Sequence, residues 1–167
     1  MTTTTVPPKT EIKFFSLLFQ YTVEAYKTFE KLAENLPNPV SARLFKFMAE
    51  DERSTRDLLE IKYLDLEERV KVTLGGDLRF LEILEGDLSP TEIPEWLIAR
   101  ERTMEKKLLD QAEATNETDA RLYRYIAAKK RAHIVQLERE REMLRHHEDW
   151  FRREDAESLL AKGGTGE

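Results

Sequence analysis

The chain has 167 residues, of which 40% are apolar and 36% charged, with a net charge of −6 and no cysteine. The charged share is well above the roughly 25% of an average domain and glycine is scarce, a profile of long helices with solvated stripes. Within the chain, zero cysteine excludes disulfides, thiolate-ligated zinc or iron–sulfur sites and thiol nucleophiles, and the acidic balance argues against nucleic acid as a main partner.

Met1 to Lys9 has no apolar core of signal-peptide type. No apolar run approaches the ~20 residues of a membrane helix. The expectation is a cytoplasmic protein without membrane contact, with disordered tails at 1–10 and 162–167. A first helix is predicted from Glu11 to Asn35, where Phe15, Leu18, Thr22, Ala25, Phe29, Leu32 and Ala33 recur at helical steps. The run Asn35-Leu36-Pro37-Asn38-Pro39 ends it. A second is predicted from Val40 to Tyr63, with Leu44, Phe47, Met48, Thr55, Leu58 and Leu59 inward. The connection 64–90 is too long for a turn; it holds Gly75-Gly76, read as a turn, and an apolar segment, Leu78 to Leu84, that suggests a short crossover helix.

Thr91 is the expected N-cap of a third helix, which reaches Thr115 with Pro94 in its first turn. A fourth is predicted from Thr118 to Asp149, and a final short helix over 150–161. Two tight hairpins joined by one long crossover make an all-α, ferritin-like four-helix bundle over 11–149.

An internal repeat supports that architecture. Ala42-Arg43-Leu44-Phe45-Lys46-Phe47-Met48-Ala49 matches Ala120-Arg121-Leu122-Tyr123-Arg124-Tyr125-Ile126-Ala127 by identity or class, at an offset of 78. Ala33-Glu34 and Ala112-Glu113 align the first and third helices at an offset of 79. The reading is a duplicated helical hairpin with a pseudo-two-fold axis through the bundle.

The strings Glu24 to Glu34 (EAYKTFEKLAE) and Leu44 to Arg53 (LFKFMAEDER) resemble rubrerythrin-like members of the ferritin-like superfamily, over about Phe15 to Leu144. That resemblance implies a di-iron carboxylate centre, built from a Glu on each of helices one and three and a Glu-x-x-His on each of helices two and four. Carried over position by position, the first-helix Glu falls on Thr22 and the third-helix Glu on Glu101. The second-helix motif falls on Glu52 to Thr55 and the fourth on Lys130 to His133. Glu24 lies about 200° round the helix from Thr22 and is expected to face solvent.

Three ligand positions are thus kept, Glu52, Glu101 and His133, and three are substituted, Thr22, Thr55 and Lys130. An ammonium beside cations repels them, so the ordinary di-iron site is expected to be lost. Glu52 and Lys130 are repeat partners, and the expectation is that Lys130 replaces the missing metal charge, paired with Glu52 and Glu101. The resemblance then implies a degenerate member with no cofactor and no catalysis, a binding or structural homodimer. The alternative is an oxidoreductase of ferroxidase or peroxidase type on a residual mononuclear Fe, Mn or Zn site of Glu52, Glu101 and His133, with Glu105 one turn on as a possible addition. The family's Cys-ligated rubredoxin module is not in the chain.

The remaining signals read as ordinary structure. His146-His147 is expected at the surface near a helix end. Trp150-Phe151 and Trp96 are expected to dock the last helix, or to make a subunit contact. Lys129-Lys130-Arg131 is too short to be a basic face. Tyr123, Tyr125 and Phe47 are expected in the core.

Overall fold

In a computed structural model of the chain, residues 9–69, 86 and 88–163 are described. They are all-α, with no strand among them, and form a helical bundle. Helix α1 spans Lys9–Asn35, α2 Pro39–Arg69, α3 Ile93–Glu113 and α4 Glu117–His146; a 3₁₀ turn at Trp150–Arg152 and α5, Ala156–Gly163, follow. Among the described residues no helix is long and apolar enough to cross a membrane.

The local chemistry sets the helix ends. Asn38 opens α2: its Oδ1 accepts from the amides of Val40 at 2.9 Å and Ser41 at 3.1 Å. Pro39 occupies the first helical position, where the missing N–H costs nothing. Asn116 opens α4 in the same way, accepting from the Asp119 amide at 2.9 Å. For α3 the expected Thr91 cap is not used. The N-cap is Glu92, which makes no side-chain cap bond, and it is held instead by Ser89, whose hydroxyl donates to Glu92 Oε1 at 2.7 Å.

Other boundaries differ too. Residues 9–10 already belong to α1, α2 runs beyond Tyr63 to Arg69, α4 stops at His146, and the terminal segment divides into a 3₁₀ turn and α5, which includes residues 162–163. The expected crossover helix at 78–84, the Gly75-Gly76 turn and the tails at 1–8 and 164–167 lie outside the described residues.

The pairing of helices follows from contacts across the bundle. Ser41 meets Glu140, Glu52 meets Lys130, and Lys62 meets Asp119, so α2 and α4 are antiparallel. Likewise Glu11 meets Thr115 and Tyr21 meets Glu101, so α1 and α3 are antiparallel. With two short hairpins, α2 and α3 must then be parallel. These contacts also obey the repeat: 41 + 78 is 119 and 62 + 78 is 140, so the Ser41–Glu140 and Asp119–Lys62 contacts are images of each other. The Glu52–Lys130 contact is its own image, as expected on a pseudo-two-fold axis.

The core is lined by Phe15, Leu18, Phe29, Phe45, Met48, Leu59, Ile98, Leu108, Tyr123, Ile126, Ile134 and Leu137. Each large apolar side chain removed from water contributes about 1.5–3 kcal/mol. Phe29 stacks on Phe45 with ring centroids 6.2 Å apart, and Phe151 meets Phe45 edge-on at 6.2 Å. The C-terminal segment is therefore docked on its own bundle through Trp150 and Phe151, both buried. Trp96 takes no part in this; it lies in a groove between α1 and α3, with the Arg100 guanidinium 4.5 Å from its ring centre.

Three expected core residues are outside. Phe47 is 57% exposed, Tyr125 52% and Leu58 40%. The buried stripe of α2 runs through Phe45, Met48, Glu52, Thr55 and Leu59, and at ~100° per residue Phe47 and Leu58 fall off its edge.

Candidate functional site

The six positions singled out in the sequence converge at mid-bundle. Thr22, Glu52, Thr55, Glu101, Lys130 and His133 are all essentially inaccessible to solvent. Helix periodicity places them there. Lys130 and His133 are three residues apart on α4 and so share a face, as do Glu52 and Thr55 on α2.

Lys130 Nζ donates to Glu52 Oε1 and lies 3.6 Å from Glu101 Oε2. Its ammonium also sits 5.0 Å from the centre of the Tyr21 ring. His133 Nδ1 is 2.8 Å from Glu101 Oε1, and Nε2 is 2.9 Å from Asp51 Oδ2. Tyr21 donates its hydroxyl to Glu101 Oε2 at 2.5 Å. The Thr22 and Thr55 hydroxyls turn away from the centre and donate to carbonyls of their own helices, Leu18 at 2.8 Å and Asp51 at 3.1 Å. The edge of the Phe29 ring closes over His133, with centroids 5.9 Å apart.

The charges in this pocket balance. Glu52 and Glu101 face Lys130 and His133, and the flanking Asp51 is shared by His133 and Lys129, the latter at 3.7 Å. Burial works against the charge on Lys130, but Glu101 and Glu52 outweigh it and hold the ammonium above the ordinary lysine range. Burial likewise opposes His133, yet its bonds to Asp51 and Glu101 raise it to about 9. Burial pushes Glu52 up despite the pull of Lys130. For Glu101 burial is outweighed by Lys130, His133 and Tyr21, and the carboxyl is held down. The Tyr21 phenol is driven well above its ordinary range by burial and by Glu101. Asp51 is held low by its bond to His133. At neutral pH Lys130 is an ammonium, His133 an imidazolium and Glu101 a carboxylate, joined to one another and to Glu52 by close polar contacts.

The two-metal set that the resemblance implies does not fit these donors. Thr22 and Thr55 spend their hydroxyls on backbone, Lys130 fills the space between Glu52 and Glu101, and both ring nitrogens of His133 already face carboxylates. A single ion is closer to possible. Glu52, Glu101 and His133 each offer one ligand atom, all within 4.8 Å of one another. In addition, Glu52 Oε2 is buried and has no hydrogen-bond partner. Glu105 does not contribute: it is clamped by Arg131, with bonds of 2.8 and 2.6 Å.

Three features of the surroundings were not anticipated. Asp51 and Tyr21 complete the cluster, although each merely precedes an identified position, Glu52 and Thr22. The repeat carried a hint, since 51 + 78 is 129 and the Asp51–Lys129 ion pair lies on the same axis as Glu52–Lys130. The third is a buried carboxylate, Glu140, which accepts from Trp150 Nε1 and from the Ser41 hydroxyl at 3.1 Å. His146 pairs with Glu142 at 3.0 Å on the surface, as expected. The basic run Lys129-Lys130-Arg131 points three ways, to Asp51, Glu52 and Glu105. Glu24 is away from the cluster, 3.9 Å from Lys27.

Comparison with protein-family profiles, curated proteins and solved structures finds no match for this chain.

Proposed function

We propose that the chain is a degenerate ferritin-like bundle of rubrerythrin type, in which a lysine and a protonated histidine carry the positive charge that a di-iron pair supplies in such a centre. On this reading it is a non-catalytic binding or structural protein, cytoplasmic and homodimeric, and needs no cofactor. The observation that carries the reading is the Lys130 ammonium between Glu52 and Glu101. A buried carboxylate pair requires compensating charge, and here the chain supplies it itself. The exposed Phe47, Leu58, Ile61, Tyr125 and Val135 on α2 and α4 support a subunit contact.

The test is iron binding. Wild-type protein incubated with Fe(II) under anaerobic conditions and desalted should retain none and should not accelerate Fe(II) oxidation in air. Lys130→Glu, which removes the ammonium and restores a carboxylate, should take up a divalent metal. Stoichiometric iron with oxidation in the wild type would refute the reading.

The second reading is a mononuclear Fe, Mn or Zn oxidoreductase on Glu52, Glu101 and His133. It is favoured by the close approach of their ligand atoms and by the unpartnered Glu52 Oε2. It requires Lys130 to leave or lose its proton, against the pull of two carboxylates. Metal retention lost in His133→Ala would support it.

A further inference from the structure

A cavity of about 640 Å³ lies between the start of α2, the end of α4 and the C-terminal segment. It shares no lining residue with the charge cluster, and its α4 wall starts at Gln136, one turn beyond His133. The volume is within the range of about 300–1,000 Å³ typical of small-molecule sites. Val40, Leu44, Met143, Trp150 and Leu160 are the apolar half of its lining residues.

The polar groups on the wall differ in one respect, namely whether they are already engaged. Glu140 is taken by Trp150 and Ser41, Glu142 by Arg145 and His146, and Arg43 by Glu157 at 2.6 Å. Arg139 is exposed and has no ion-pair partner among the described residues. A largely apolar cavity whose disengaged charged group is a guanidinium calls for an amphiphile with an acidic head. A planar carboxylate suits the guanidinium fork.

We propose that this cavity binds an aliphatic carboxylic acid of fatty-acid type, with its chain against Leu44, Met143, Trp150 and Leu160 and its head at Arg139. The four-helix core stays closed, and the ligand bridges α2, α4 and α5.

The chain has two tryptophans, and Trp96 lies elsewhere, so a Trp96→Phe variant reports on Trp150 alone. Titration with dodecanoate below its micellar concentration should change that emission saturably, at one ligand per chain. Calorimetry should show dodecanol binding about tenfold more weakly, the loss of one charge-assisted contact of about 1.4 kcal/mol. Arg139→Gln should abolish this preference. Met143→Phe, which fills the chamber, should weaken dodecanoate binding at least tenfold while the protein still melts cooperatively. No saturable binding, equal affinity for the acid and the alcohol, or unchanged affinity in Met143→Phe would each overturn the proposal.

Discussion

Replacing Lys130 by methionine keeps most of the side-chain volume and removes only the charge and its bonds. The carboxylates of Glu52 and Glu101 would then share a dry pocket with His133 as the sole buried cation. At the 3.6 Å separation from Glu101, one ion pair at an effective dielectric constant of about 20 is worth roughly 5 kcal/mol before desolvation. The contact with Glu52 is closer still. The methionine variant no longer desolvates an ammonium, which returns part of this, but it leaves two buried carboxylates undercompensated. Breaking a buried pair from one side typically costs about 3–5 kcal/mol. For a chain of this size that corresponds to a fall in Tm on the order of 6–20 °C. Urea and thermal unfolding monitored by circular dichroism would measure it. Adding Glu52→Gln to the Lys130→Met background should recover a large part of the loss, because the unpaired charge is then gone. If Lys130→Met melts within a degree or two of the wild type, or if the second substitution restores nothing, the charge-replacement argument is wrong.

Other consequences arise from the same geometry. His133 is held at about 9 in the fold against 6.5 for an ordinary histidine, so the folded state binds its proton more tightly than the unfolded chain. The stabilisation, about 3 kcal/mol, is present in full below pH 6.5 and is lost as pH rises towards 9. Urea midpoints should therefore fall across that window, and His133→Gln should flatten the slope. Asn38 caps α2 and also donates through Nδ2 to the Trp150 carbonyl at 2.6 Å, while its own amide reaches the Phe151 carbonyl at 3.1 Å. Asn38→Ala should cost about 2 kcal/mol, the sum of a lost cap and a lost tertiary bond, and near-ultraviolet circular dichroism should show whether the Trp150 segment loosens.

The repeat made much of the site legible. An offset of 78 equates Glu52 with Lys130, and a pseudo-two-fold axis brings such a pair together; the Lys130–Glu52 contact is that prediction in atoms. The burial of Thr22 followed from helical phase, and that of Glu101 and His133 from the positions the resemblance implies. What phase cannot resolve is a crowded run. Leu44, Phe45, Phe47 and Met48 are all apolar, and only packing decides that Phe45 and Met48 go in while Phe47 stays out. Asp51 was missed for a related reason. It sits on the flank of the buried stripe, and its role comes from the reach of His133 Nε2 towards α2. Glu140 was invisible because its partners, Ser41 and Trp150, belong to other segments and meet it only through tertiary docking. The Thr91 cap failed because Ser89 and Glu92 offered the chain a competing bond.

The charge-replacement account is tested most directly by diffraction from crystals soaked in Fe(II) or Zn(II), with data collected at the metal absorption edge. The account predicts Lys130 Nζ at hydrogen-bond distance from Glu52 and no anomalous peak among Glu52, Glu101 and His133. A peak at coordination distance, about 2.0–2.2 Å from their oxygen and nitrogen atoms, with Lys130 displaced, would contradict it.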